Sequence, residues 1–322
     1  MELIGEYSCP IVWPMGAESV KEDKLKFLWE DENYVAEIKI DGERITSVFT
    51  PDRMRVFTRA GSKLDPTRPI EVTHRWPQIQ VIHGFLPVGT ILDGEAFSRN
   101  RRASEVAGFF NHRSEATMPD DIQYIAFDCL QWNNKNIENE PWHIRRRFIE
   151  NCVNIVCNPI LNYSAVTAKN KREFFESIVK GGGEGVVLKH SLGKYYQGKS
   201  PANVWVKVKK KDSFDCVITG FKISKEGQFK GMVGSVELSQ YRCNRRDGTF
   251  ELVKVCNASG INRALREELT CNPQEYLGRV ALVEAFERIP NSVTLREPRI
   301  KFIRPEGSKS ASACIIEGSR IL

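Results

Sequence analysis

Beyond Lys211 the chain breaks into strand-like runs, Cys216 to Ile223, Val233 to Tyr241, Phe250 to Asn257, Val280 to Ile289 and Ile300 to Ile303. One helical stretch, Asn262 to Leu269, lies between the third and fourth. Five strands with a helix in that place predict a small OB-type barrel, a fold often used on nucleic acids. Residues 1 to 211 instead mix strands with helical stretches such as Pro141 to Cys152 and Lys169 to Lys180, an α+β pattern. A boundary is therefore expected near Lys211-Asp212, dividing the chain into domains 1–211 and 212–322.

In the first segment Lys39 sits in Glu37-Ile38-Lys39-Ile40-Asp41-Gly42-Glu43-Arg44. Tyr34, Val35, Ala36, Ile38 and Ile40, then Ile45 and Val48 beyond Asp41-Gly42, read as two strands joined by a tight turn. A lysine fixed in a sheet can be a phosphorus nucleophile. An amine of ordinary basicity is protonated at neutral pH, so that role needs partial desolvation or a neighbouring cation. A second Asp-Gly, in Thr90 to Phe97, delivers carboxylates at what reads as another turn. A third element, Glu184 to Lys189, follows a glycine triplet and puts a carboxylate at the mouth of a buried strand. A fourth, Val204 to Lys209, alternates so that Lys207 and Lys209 share one face, where they repel unless an anion lies between or beneath them. Taken singly, Asp-Gly-Glu is a common hairpin turn and Lys-x-Lys a solvated strand face. In this order they form a constellation: a nucleophilic lysine, two carboxylates suited to a divalent cation, and two cations suited to phosphate.

On these residues the chain resembles the ATP-dependent DNA ligases, within the covalent nucleotidyltransferase superfamily that also holds the messenger-RNA capping guanylyltransferases and RNA ligases. Lys39, Asp41, Gly42 and Arg44 match that superfamily's Lys-x-Asp-Gly-x-Arg motif. The resemblance continues through Thr58-Arg59-Ala60-Gly61, Leu92-Asp93-Gly94-Glu95, Phe127-Asp128, Glu184-Gly185-Val186-Val187 and Lys207-x-Lys209, with Pro14-Met15 ahead of them. It extends into the second domain at Gly234-Ser235-Val236, Ser259-Gly260-Ile261 and Leu295 to Arg299. The implied fold is α+β, an ATP-grasp-like adenylation (nucleotidyltransferase) domain followed by a C-terminal OB-fold barrel.

The resemblance implies that Lys39 attacks the α-phosphorus of ATP and carries AMP, which then passes to the 5′-phosphate of a nick in duplex DNA. Glu95 and Glu184 are expected to serve Mg²⁺ or Mn²⁺, Lys207 and Lys209 the α-phosphate, and Phe127 the adenine face. Glu37 lies on the same side of its strand as Lys39 and is expected to accept from the adenine amino group, favouring ATP over GTP. Ile38, Asp41, Arg44 and Arg59 complete the nucleotide site, and Arg44 and Arg59 are also expected at the nick. The last family motif is usually Arg-x-Asp-Lys, whereas this chain has Arg304-Pro305-Glu306-Gly307-Ser308-Lys309, so the spacing of the pyrophosphate pair Arg304 and Lys309 is altered.

A formal charge of +6 over 322 residues is only mildly basic, so DNA contact is expected from local patches. These are Arg99, Arg101 and Arg102, the cluster from Lys207 to Lys211, and Arg242, Arg245 and Arg246. Nine cysteines without a Cys-x-x-Cys pair read as reduced thiols and supply no zinc module, which argues against the NAD-dependent relatives. No long apolar span or signal peptide is visible, so a cytoplasmic monomer with no membrane association is expected. There is no room ahead of the core for a helical DNA-binding domain, so a helper clamp protein or a looser grip is expected. Chains of this size are typical of bacteriophages, other viruses and accessory bacterial repair systems, which suits replication, repair or recombination. The alternatives are a capping guanylyltransferase or RNA ligase, and a nick-binding module without chemistry.

Overall fold

Apolar residues at almost every position of Tyr34 to Ile38 make a strand that is buried on both faces. Such a strand needs a partner at each edge, and the rest of the first unit is arranged around that need. The computed structural model describes residues 9–59, 69–110, 117–244, 248–289 and 292–316. Ala60, Gly61, Arg245 and Arg246 lie outside them. The chain divides into two units, Met1–Lys209 and Lys210–Leu322.

In the first unit the strands are β1 (Tyr34–Ile38), β2 (Glu43–Phe49), β3 (Met54–Thr58), β4 (Ile91–Phe97), β5 (Gln123–Trp132), β6 (Lys135–Asn136), β7 (Leu161–Tyr163), β8 (Val166–Thr167), β9 (Gly185–His190) and β10 (Trp205–Lys209). One sheet runs β10-β9-β1-β8 and a second β3-β2-β4-β5-β6, with β7 parallel beside β5. Val48, Ile91, Leu130 and Phe127 from the second sheet meet Val187 and Trp205 from the first in a shared core. Among the described residues four α-helices accompany them, α1 (Glu22–Glu30), α2 (Ala103–Phe110), α3 (Trp142–Val156) and α4 (Lys171–Lys180). Helix α4 packs on β1 and β9, and α3 on β5.

Two expectations from the sequence are corrected here. β1 and β2 do not form a hairpin: β1 pairs with β8 and β9, β2 with β3 and β4, and Lys39 to Gly42 is a crossover between the sheets. Gly42 allows that crossover to graze β4, because a Cβ there would lie 2.1 Å from the Ala96 carbonyl oxygen. Asp93-Gly94-Glu95 likewise makes no turn; it is the middle of β4, paired on both sides. The glycine is required by packing, since a Cβ would meet the Tyr124 ring at 2.4 Å.

Helix α3 buries Trp142, Arg145, Arg146, Ile149, Cys152 and Val156, one stripe at helical spacing that contains two arginines. It runs four residues beyond the expected end at Cys152, and Cys157 closes it in the left-handed region at φ 45°. Arg145 Nε and Nη2 donate to the two oxygens of Asp128 on β5 at 2.7 and 2.9 Å. Both side chains are fully buried, and Arg145 Nη1 also donates to the Gly193 carbonyl at 2.9 Å.

The second unit holds β11 (Asp212–Ile223), β12 (Val233–Cys243), β13 (Phe250–Ala258), β14 (Val280–Ala285), β15 (Glu287–Arg288), β16 (Leu295–Arg296) and β17 (Arg299–Ile303). Its main sheet runs β13-β12-β11-β14-β17, and a parallel bridge from Ser259 to Arg299 joins its ends into an OB-type barrel. Helix α5 (Arg263–Cys271) lies between the third and fourth barrel strands, capped by Asn262, whose side chain accepts from the Leu265 N–H at 2.8 Å. The fourth run is shorter than the sequence implies: β14 stops at Ala285, and Glu287-Arg288 pairs with Leu295-Arg296 in a separate ribbon. Among the described residues no helix is long and apolar enough to cross a membrane.

Removing one partner of the α3–β5 ion pair strands a buried charge. Arg145→Met is expected to lower the unfolding free energy of the first unit by about 3–5 kcal/mol, measured by urea denaturation.

Candidate active site

The Lys39 N–H donates to the Gly185 carbonyl at 3.0 Å, which extends the β1–β9 ladder one step past Ile38 and Val186. Its side chain therefore leaves the sheet on the same face as Glu37. The strand register sets Glu37, Val187 and Lys207 in one row, and Gly185 beside Lys209 next to Lys39 in another. Gly185 has φ +146°, and a Cβ on it would lie 2.0 Å from the Val208 carbonyl oxygen, so no other residue keeps this register.

Glu184, one residue earlier, supplies the anion that the lysines need. Its Oε2 accepts from Lys39 Nζ and its Oε1 pairs with Lys209 Nζ at 2.9 Å, with the carboxylate side chain 2% exposed. Lys207, two residues before Lys209 on the same strand, and Asp41, two after Lys39, are half-buried. On the other sheet, Glu95 stands across from Arg44 and accepts from the Gly42 N–H at 3.3 Å. Desolvation pushes the Glu95 carboxyl up to about 8, against the pull of Lys39 and Arg44.

Arg44 itself is committed to Asp93, with Nε and Nη2 donating to its two oxygens at 3.0 and 2.6 Å. The Tyr195 hydroxyl donates to the same carboxylate at 2.6 Å and accepts from the Met15 N–H at 2.8 Å. This orients the guanidinium, whose carbon lies 5.2 Å from the centre of the Phe127 ring. Phe127 is half-buried and stands edge-on to Trp205 at 6.0 Å.

Glu37 is 1% exposed and already engaged by three protein donors. Arg146 Nη1 donates to it at 3.0 Å, the Ser164 hydroxyl donates to the same oxygen, and Lys189 Nζ pairs with the other. Sequence reasoning gave Glu37 a ligand to bind and missed these partners. The signal was present as charges at core positions: Arg145 and Arg146 on the apolar stripe of α3, and Lys189 two residues after Val187 on a buried strand.

Of the remaining expected residues, Arg59 is exposed just after β3. Arg101 is tied to Asp121 at 3.0 Å, whereas Arg102 is exposed with its backbone N–H on Glu105. In the second unit, Arg304 Nε and Lys309 Nζ converge on Asp215 of β11, Arg304 at 2.6 Å. The altered spacing of the last motif thus still brings its two cations together.

Two packed sheets with a lysine at the crossover between them, followed by an OB-type barrel, define a nucleotidyltransferase-type architecture. A family model described as ATP dependent DNA ligase domain matches residues 14–209, and the chain belongs to that family. It is 29% identical over 239 residues to a probable DNA ligase of Beutenbergia cavernae, covering 70% of this chain and 44% of that protein. A probable DNA ligase of Dictyoglomus turgidum is 26% identical over 332 residues, covering 91% of this chain and 53% of the relative. The chain thus spans about half the length of these two curated relatives. The solved structure Pmar-Lig_Pre shares the fold at a TM-score of 0.69 and 20% identity, over 92% of this chain and 69% of its own.

The family implies a divalent cation. Among the described residues no group of three or more His, Cys, Asp or Glu side chains could hold a metal ion. Mg²⁺ is commonly held by one or two carboxylates together with substrate phosphates. Glu95 is the better placed ligand, because both Glu184 oxygens already serve ammonium groups.

A carboxyl whose pKa rises from 4.5 to about 8 on folding binds its proton more tightly in the folded state. The stability it contributes is complete below about pH 4.5 and is lost as pH rises through 8. Wild-type protein should therefore lose stability relative to Glu95→Gln between pH 5 and pH 8, measured by urea denaturation with chelator present.

Proposed function

We propose that this chain is an ATP-dependent DNA ligase that seals 5′-phosphate/3′-hydroxyl nicks in duplex DNA through an AMP carried on Lys39. The observation that carries this reading is the ion-paired group Lys39, Glu184 and Lys209, an amine oriented by a buried carboxylate beside a second cation, within a unit of the ligase family. The names of the curated relatives support it.

In the first step the Lys39 nitrogen bonds to the α-phosphorus of ATP as the bond to the pyrophosphate oxygen breaks. The 5′-phosphate of the nick then takes AMP from Lys39, and the 3′-hydroxyl displaces AMP to close the backbone. Each step is an in-line displacement, so catalysis rests on positioning and on neutralising developing charge. Glu184 aims the amine, and Lys207 and Lys209 offer positive charge to the α-phosphate from one strand face. Phe127 and Glu37 take the base, and Arg44, held by Asp93, stands beside them. Glu95, and Glu184 if its lysine partners release it, would hold Mg²⁺, which would supply Lewis-acid charge neutralisation at phosphate oxygens. Arg59 and Arg102, both exposed, are available to DNA phosphates, and Arg304 with Lys309 to pyrophosphate.

Incubation with Mg²⁺ and α-labelled ATP should give covalently labelled protein that nicked duplex DNA discharges with formation of sealed product. Lys39→Ala should carry no label while remaining folded, since Lys209 still pairs with Glu184, and Glu184→Gln should form adduct on the order of a hundredfold more slowly. Label from GTP alone would point to a capping guanylyltransferase, and absence of any adduct would remove the enzyme reading altogether.

A further inference from the structure

Among the described residues of the first unit Lys189 is the most deeply buried lysine, 2% exposed near the end of β9, and nothing in the nucleotidyl-transfer chemistry above uses it. Its Nζ pairs with Glu37 on β1 and donates to the Phe127 carbonyl on β5 at 2.8 Å. The first partner belongs to one sheet and the second to the other, so this one group ties the two sheets together. Around it stand the rings of Trp205, Phe127 and Trp142, with centroids 4.2, 5.0 and 5.8 Å from Nζ. An ammonium stripped of water gains from such ring faces and from fully used donors. Helix α3 closes the circuit: Arg145 holds Asp128, next to Phe127, and Arg146 holds Glu37.

We propose that Lys189 is a positioning residue that sets nucleobase selectivity by locking Glu37 and Phe127 into one rigid pocket wall. The proposal rests on the reading that these two residues take the base. A carboxylate offers about four acceptor positions, and here Arg146, Ser164 and Lys189 occupy three. The one position left is the acceptor we assign to the base, and its three partners hold it in a single orientation. An amino group on the base satisfies it, whereas a carbonyl meets an uncompensated negative charge in a dry site. Without Lys189 one Glu37 oxygen loses its counter-charge and the Phe127 carbonyl its donor, so acceptor and ring are free to shift independently.

The test compares wild type, Lys189→Met, Lys189→Arg and Glu37→Gln in single-turnover adduct formation with Mg²⁺ and labelled ATP or GTP, alongside thermal unfolding. Lys189→Met should raise the ATP concentration for half-maximal rate roughly tenfold, shrink the ATP-over-GTP preference by a similar factor, and leave the saturated rate within about threefold. Lys189→Arg, which keeps charge and donors, should restore part of the preference. If Lys189 acts through Glu37, the double variant Lys189→Met/Glu37→Gln should be no less selective than the more affected single variant. An unchanged ATP-over-GTP ratio in Lys189→Met overturns the proposal, as does a loss confined to the saturated rate. Should Lys189→Met fail to fold, an unchanged ratio in both Lys189→Arg and Glu37→Gln overturns it equally. Failure of the wild type itself to form an adduct would instead refute the ligase reading, so the two failures are distinct.

Discussion

Two adjacent arginines on one helix each grip a carboxylate on a different sheet, and the first unit depends on that division of labour. Arg145 reaches Asp128 and Arg146 reaches Glu37. Charges taken from water at this depth are stabilising only when nearly every donor and acceptor is matched, and replacing them with apolar residues of equal volume is often no worse for stability. Their presence here is better explained by geometry. Two sheets joined by apolar contact alone could slide by fractions of an ångström, whereas bidentate and shared-carboxylate contacts accept only one relative placement.

The same placement explains why Lys39 lies on a crossover. β1 is saturated by β8 and β9, so the chain must leave that sheet to reach β2, and it does so immediately after Lys39. The lysine keeps the last ladder bond of one sheet, while Gly42, three residues on, already rests against the other. An amine in that position is anchored by regular structure yet opens toward the region where both sheets contribute side chains. Glu184 reaches it from β9's own entry point, where Gly185 removes the side chain that would otherwise clash.

Much of this was legible in the chain. The alternation in Val204 to Lys209, the apolar runs after Lys211 and the helix beginning at Asn262 are local patterns, and local patterns survive folding. The bringing together of Lys39, Glu184 and Lys209 followed from motif order. What misled was Asp-Gly, which marks a hairpin when neighbouring strands are free to pair but marks only a close backbone approach when the edges are already taken. What stayed hidden was the partnership of buried charges. Lys189, Arg146 and Glu37 are separated by up to 152 positions in the chain, and no local rule says which core cation answers which core anion.

The second unit assembles its charges differently. Asp215 collects Arg304 and Lys309 where the two cations keep 28% and 34% of their side-chain surface in water. Mobile ions reach such a cluster, whereas they are excluded from the ring of charges behind Glu37. Raising ionic strength therefore loosens the barrel's cationic pair while leaving the buried network around Glu37 intact.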